Sequence, residues 1–291
     1  LADGRIDLHT HSHCSDGLLS PAALVERAAV RAVAILALTD HDTVAGCAAA
    51  RLACEQPGIQ FVSGIELSCG WREREIHVIG LQVNERHAGL LQHCAAQLQR
   101  RRARLSGIAE RLTGAGLPGA ALLRTVLAAA VPTRTHLARA LHAAGWARDV
   151  PAAFDRWLAR GRPGYLAAQW PDLGETVALI AAAGGIAVLA HPHRYPLKAL
   201  HLDGLVGEFK AAGGGAIEVS LAGMSPADGD RAAALARRHG LAGSIGSDFH
   251  EPDLPWRPLG RFAKLPDRIE PITALLRPVE SAAASTRRSE R

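Results

Sequence analysis

Seven short runs of apolar and β-branched residues punctuate the chain: RIDLH, AVAILALTD, IQFVSGIEL, EIHVIGLQV, GIAVLAH, GAIEVSL and AGSIGSD. Runs of this length and composition predict strands. Between most of them, apolar positions recur with a helical period, over Pro21–Arg31, Thr43–Cys54, Gly174–Ala183, Leu200–Ala212 and Pro226–Arg238. Ser20 before Pro21 reads as an N-cap with proline at the first helical position. Strand–helix alternation predicts an α/β architecture built on a parallel sheet or barrel. One connection breaks the rule. Only a short turn, CGWRER, separates Glu66 from the run that carries His77. No crossover helix fits there, so an antiparallel hairpin is expected.

From Leu90 to Gly164 the pattern is almost wholly helical, with breaks at GAGLPG, VPTRTH and GWARDVP. The expected organisation is therefore a discontinuous barrel, residues 1–99 and 166–280, interrupted by an all-helical insertion at residues 100–165. The tail at residues 281–291, SAAASTRRSER, has too little apolar content to pack and is expected to be disordered.

Composition narrows the class. The 291 residues are 48% hydrophobic but only 4% aromatic, which suits helices packed on buried strands better than an aromatic-rich sandwich. No apolar run reaches the roughly 18 residues of a membrane span. The start, LADGRIDLHTH, lacks the charged-then-apolar form of a secretory signal. A cytoplasmic protein without a membrane or obligate protein partner is expected. Five cysteines, none in a CxxC pair, argue for reduced thiols rather than a disulfide framework or Cys-rich zinc site. The formal charge of +5 favours anionic ligands without establishing nucleic-acid binding.

The informative feature is where the ionisable groups fall. In α/β barrels, side chains that carry chemistry sit at the carboxyl ends of strands. Here RIDLHTH ends on His9 and His11, ILALTDHD on Asp40, His41 and Asp42, and VSGIE on Glu66. AVLAHPHR ends on His191 and His193, and SIGSDFH on Asp248 and His250. An isolated HxH pair is as easily a polar surface feature as a metal site; five such endings on separate strands are not. The hairpin would bring His77 to the same face. With Asp16 from the loop DLHTHSHCSDG, that makes nine candidate ligands: His9, His11, Asp16, His41, Glu66, His77, His191, Asp248 and His250. One ion takes about four to six ligands, so two or three ions sharing a carboxylate fit the set better than one. Asp40 and Asp42 are expected to orient His41 rather than ligate. The run RRRAR (Arg100–Arg104) is expected to be a solvated helix face.

The motifs DLHTHSHCSDG, LTDHDT, GIELS, IHVIG, LAHPHR and GSDFH, in this order from Asp7 to His250, resemble those of the PHP (polymerase and histidinol phosphatase) metallohydrolases. The resemblance implies a distorted (β/α)7 barrel. It also implies a division of ligands. His9, His11, Glu66 and Asp248 would hold one ion. Glu66 would bridge to a second held by His77 and His191. Asp16, His41 and His250 would hold a third. Many relatives have histidine where Asp16 stands; the added carboxylate leans the centre toward manganese, with zinc or iron(II) as alternatives. The helical insertion, with TRTHLARAL inside it, resembles the bacterial branch that includes a 3′,5′-nucleoside bisphosphate phosphatase and 5′–3′ exoribonucleases.

The expected chemistry is removal of the 3′-phosphate from nucleoside 3′,5′-bisphosphates such as adenosine 3′,5′-bisphosphate. A water shared between two cations loses its proton near neutral pH and can attack phosphorus in line. Glu66 and Asp248 hold the ions in this scheme, and His193, two residues beyond His191, is the candidate general acid. Arg134, Arg194 and His136 are candidates for holding the second phosphate, with the insertion acting as a lid. The enzymatic rival is a 5′–3′ exoribonuclease or phosphodiesterase on short RNA, which needs an open basic groove. A non-catalytic metal-binding module is the alternative from another class.

Overall fold

The computed structural model describes residues 5–253 and 257–277; the expected disordered tail at residues 281–291 lies outside the described residues. The first half runs β1 (Arg5–Asp7), α1 (Pro21–Val30), β2 (Val33–Leu38), α2 (Cys47–Glu55), β3 (Gln60–Trp71) and β4 (Arg74–Leu81). A helical stretch follows: α3 (Ala88–Gly114), α4 (Gly119–Val126), α5 (Arg134–Ala143), α6 (Val150–Ala153) and a π turn at Phe154–Leu158. The barrel then resumes with α7 (Leu173–Ala182), β5 (Ile186–Leu189), α8 (Ala199–Ala211), β6 (Ala216–Leu221), α9 (Pro226–His239) and β7 (Ala242–Gly246).

Sheet order follows sequence order, β1 to β7. Strands β1–β3 pair in parallel, as do β5–β7, whereas β4 runs antiparallel to both β3 and β5. The sheet closes on itself. Leu8 N–H donates to the Ile245 carbonyl (3.2 Å), Asp248 N–H to that of His9 (2.8 Å), and His11 N–H to that of Phe249 (2.9 Å). The result is the distorted (β/α)7 barrel; the hairpin is the distortion, because no helix separates β3 from β4. Gly246 makes the closure possible. A Cβ there would lie 2.6 Å from the Cβ of His9 and 2.9 Å from its nitrogen.

Strand alternation sorts the side chains into two layers. Leu36, Leu38, Ile65, Leu67, Val78, Leu189 and Ile217 face outward into the core shared with the helices. Ile35, Ala37, Val62, Ile79, Leu81, Val188 and Ala216 form a smaller inner core. Glu66, His77 and Glu218 have the parity of the inner set, so they line the barrel above its apolar floor. Ser20 caps α1 by accepting from Ala23 N–H at 3.1 Å, with Pro21 at the first helical position.

The helical stretch has its own core of Leu105, Leu112, Leu122, Leu137, Leu141 and Trp157. Its first helix is shared. Leu90 in α3 packs in the barrel core, while Leu105 and Leu112 pack in the second. A single unbroken helix of 27 residues thus crosses position 100, the expected start of the insertion. Among the described residues, no helix is long and apolar enough to cross a membrane.

Candidate metal centre

Glu66 organises the site. The parallel pairing of β3 with β2 ends at Ser63, and an isolated bridge joins Glu66 to His41. Beyond that point β3 continues only as the hairpin, in which His77 lies opposite Ser68. Ser68 and Glu66 share a face, so His77 is the diagonal neighbour of Glu66. Glu66 is fully buried, and its two oxygens look in different directions. Oε1 lies 3.0 Å from His77 Nδ1 and 2.9 Å from His191 Nε2. Oε2 lies 3.3 Å from His9 Nε2, 3.2 Å from His11 Nε2 and 3.1 Å from His41 Nδ1.

Asp248 closes the ring from β7. Its Oδ1 sits 3.3 Å from His9 Nε2, 3.2 Å from His11 Nε2 and 3.6 Å from His250 Nδ1. Its Oδ2 pairs with Arg194 Nη1 and, at 3.2 Å, with Arg257 Nη1. Asp16 Oδ1 lies 3.3 Å from His250 Nε2 and 3.8 Å from His41 Nε2. All nine side chains of the sequence-based set therefore meet at one barrel rim. Three groups of donor atoms converge tightly enough to hold an ion: His9/His11/Glu66/Asp248, His11/Asp16/His41/His250 and His41/Glu66/His77. In this geometry His41 joins Glu66 and His77, and His11 belongs to two groups.

The donor atoms fit divalent cations and fit poorly without them. His9 Nε2 and His11 Nε2 face each other at 3.1 Å. Asp16 Oδ1, Glu66 Oε2, His11 Nδ1, His41 Nδ1 and His191 Nδ1 are buried with no hydrogen-bond partner. Buried polar atoms left this way are costly, and imidazole nitrogens with carboxylate oxygens are the donor set of zinc, manganese and iron.

The electrostatics carry the same strain. Burial works to raise the carboxyl of Glu66, but His41, His9 and His77 hold it well below the usual range. Burial works against His11 and His77 too. Bonds to Asp248 and Glu66 nevertheless lift His11 to about 10, and Glu66 lifts His77 to about 9. For His41 and His191 burial wins, and they fall to about 3 and about 4. The backbone is also strained at the rim. Asp42, His191 and Asp248 have φ of 49°, 29° and 51°, a left-handed region that residues other than glycine seldom occupy and that clusters at functional sites.

Several supporting residues escaped the sequence reading. Glu218 takes His9 Nδ1 at 2.9 Å and accepts from the backbone N–H of His191 at 2.5 Å, fixing two of the nine. Its signal was a lone carboxylate inside the apolar run GAIEVSL. Arg257, in PWRP, had no such signal. Asp40 and Asp42 do not orient His41, contrary to expectation. Asp40 accepts from Ser12 N–H (2.7 Å), Ser12 Oγ (2.6 Å) and Ser15 Oγ (2.6 Å), fastening the loop that carries Asp16. Asp42 accepts from Ser68 N–H (2.9 Å) and Arg101 Nε (2.7 Å), tying α3 to the barrel. The RRRAR run is likewise not a uniformly solvated face. Arg101 is buried and Arg104 half-buried, both over the ring of Trp170, at 5.2 and 5.6 Å.

Beside the cluster lies a cavity of about 70 Å³ lined by Asp16, His41, His77, Arg104, Arg134 and Trp170, among others. Arg134 pairs there with Glu75 at 3.1 Å. Arg194 stands at the rim on Asp248. His136 is not among the residues lining this cavity. Its Nδ1 accepts from Thr133 N–H at 3.1 Å, completing the cap of α5. His193 makes no hydrogen bond or ion pair with the nine, and its Nδ1 is buried without a partner.

Comparison with known proteins bears on what this rim does. The PHP domain model matches residues 7–158. The 5′-3′ exoribonuclease Rnm of Escherichia coli is 43% identical, covering 92% of this chain and 92% of the relative. The 3′,5′-nucleoside bisphosphate phosphatase of Chromobacterium violaceum is 38% identical, covering 95% and 99%. The chain belongs to the PHP domain family. Solved structures share the fold. An amidohydrolase from Chromobacterium violaceum, with bound sulfate and no metal, superposes with a TM-score of 0.89 at 37% identity, covering 95% of this chain and 99% of that one. A candidate metal-dependent phosphoesterase from Bifidobacterium adolescentis gives 0.76 at 27%, covering 94% of each. This PHP chain is a metal-dependent phosphoesterase, a hydrolase whose His/Asp/Glu cluster is able to hold metal ions.

Proposed function

We propose that this PHP phosphoesterase removes the 3′-phosphate from nucleoside 3′,5′-bisphosphates in the cytoplasm. The observation that carries the reading is a buried carboxylate, Glu66, facing two histidines through one oxygen and three through the other, beside a small basic cavity. In this reading His9, His11, Glu66 and Asp248 hold one ion, Glu66, His77 and His191 a second, and Asp16, His41 and His250 a third, with manganese favoured by the carboxylate that Asp16 adds to the third set. When bound, such ions supply the Lewis acidity that lowers the pKa of water to near neutrality and offsets phosphoryl charge.

The remaining work belongs to the chain. Glu66 and Asp248 fix the spacing of the donors. Arg134, in the cavity wall, and Arg194, at the rim, hold the second phosphate through guanidinium hydrogen bonds; His136 stiffens the helix start that presents Arg134. His193, two residues beyond His191, is the proton donor to the leaving oxygen, approaching it only with substrate in place. The test is a manganese-reconstituted assay comparing adenosine 3′,5′-bisphosphate, 3′-AMP, 5′-AMP and a short 5′-phosphorylated RNA. Preference for the bisphosphate supports the proposal; preference for RNA replaces it with the second reading.

That second reading, a 5′–3′ exoribonuclease on short RNA, is favoured by a specific feature. The cavity at the cluster is far smaller than the roughly 300 Å³ at which small-molecule pockets begin, so a nucleoside must extend beyond it. Trp170 forms a wall shared with a neighbouring groove of about 380 Å³ along α3, lined by Gln92, His93 and Arg100 among others. A second nucleotide would find space there, with Trp170 and Leu179 as apolar surface and Arg100 as a cation, beside the carboxylate of Glu175.

A further inference from the structure

The helical stretch touches the candidate metal centre at one carboxylate, Asp16, and the contact is specific. Asp16 Oδ1 points at the histidines. Its Oδ2 accepts from Thr133 Oγ1 at 3.1 Å, with Thr133 4% exposed and Asp16 1%. Thr133 is the N-cap of α5. Its hydroxyl oxygen accepts from the backbone N–H groups of Thr135 (3.2 Å) and His136 (3.3 Å). Its own N–H goes to His136 Nδ1 at 3.1 Å, which occupies the lone pair of that nitrogen. The hydroxyl proton is thereby left for Asp16. A second grip comes from farther along α5: Arg139 Nη1 donates to the Asp16 backbone carbonyl at 2.6 Å, and Nη2 pairs with Glu251 at 3.4 Å. The rest of α5 is anchored elsewhere, because Leu137, Ala138 and Leu141 belong to the core of the helical stretch.

We propose that Thr133 is a positioning residue for the ion held by His11, Asp16, His41 and His250, so that the seating of the helical stretch sets how tightly that ion binds. This rests on the metal-centre reading above. The carboxylate has two oxygens and only one faces the histidines; the other is held by a hydrogen bond from a different structural unit. Losing such a partner frees the carboxylate to rotate, which weakens metal binding about 10- to 100-fold in comparable sites. The same helix start carries Arg134 into the cavity, so displacement of the helical stretch would loosen the ion and the phosphate grip together.

The test is titration of the chelated, full-length protein with manganese, following free Mn2+ by electron paramagnetic resonance and the heat of binding by calorimetry. Thr133→Val removes the hydroxyl. Thr133→Gly also removes it while keeping most of the capping energy, and Thr133→Ser keeps both cap and donor. The expected result is one class of manganese site weakened about 10- to 100-fold in the Val and Gly variants, with the remaining sites unchanged and normal binding in the Ser variant. Identical binding curves for wild type and a folded Val or Gly variant would overturn the proposal. A wild type that takes up no manganese would instead remove the metal-centre reading beneath it.

Discussion

Residue by residue, the rim is a set of charges arranged for a cation. The nine side chains are mutually supportive only if something positive sits among the carboxylates. In the metal-free chain, protons on His11 and His77 fill part of that need, which is why their values rise to about 10 and about 9 against an ordinary 6.5. A histidine whose value is raised by folding contributes stability that is complete below 6.5 and is lost as pH climbs through the folded value. Metal-free protein should therefore melt at progressively lower temperature between about pH 7 and 10. Metal-loaded protein, whose ligand imidazoles are already neutral, should lose less over the same window and stay flat until the thiols of Cys47, Cys54 and Cys94, raised by burial to about 12, about 11 and about 12, begin to cost both forms alike near the ordinary thiol value of 9.0; calorimetry of both forms checks this. Glu218→Gln tests the support beneath His9 and His191. Metal affinity should fall about 10- to 100-fold, while far-ultraviolet circular dichroism stays unchanged.

At the scale of elements, α3 is shared by barrel and helical stretch, and beside the packing of Leu90 an ion pair ties it to the barrel. Arg101 is buried against Asp42, which is 2% exposed, and also reaches Ser68 Oγ at 2.8 Å. Arg101→Ala would leave Asp42 charged and buried without its partner, at a cost of about 3–5 kcal/mol. Urea unfolding measures that loss directly. Because α3 runs unbroken through position 100, excising residues 100–165 would cut a helix that the barrel core uses. Arg134→Ala is the cleaner test of the phosphate grip. It should raise KM for adenosine 3′,5′-bisphosphate about tenfold or more, consistent with a lost charged hydrogen bond, and leave a simple phosphomonoester nearly unaffected. Strands and outer helices were legible to within a few residues, because their periods and caps are local. The hairpin was legible because a turn as short as CGWRER cannot hold a crossover helix. The role of RRRAR was not: helical spacing puts Arg101 and Arg104 on one face, but only the fold shows that Trp170, Asp42 and Glu75 cover it.

For the molecule as a whole, chemistry collects where the barrel closes. The edge strands β1 and β7 meet through Asp7, which accepts from Ser247 N–H (2.9 Å) and Gly260 N–H (2.8 Å) and which burial pushes up to about 6. The closure brings His9, His11 and Asp248 within reach of Glu66, from strands far apart in sequence. The strand-end histidines and acids announced themselves by position. Of the residues that hold them in place, Glu218 left only a lone carboxylate in an apolar run and Arg257 no mark, because their contacts are made by the fold rather than by local spacing. The central claim is that cations sit on both sides of the Glu66 carboxylate. Anomalous diffraction at the manganese edge, from crystals grown with manganese, tests it most directly. Separate peaks are expected on the His77/His191 side and the His9/His11/Asp248 side of Glu66; a map with no peak within coordination distance of either oxygen would contradict it.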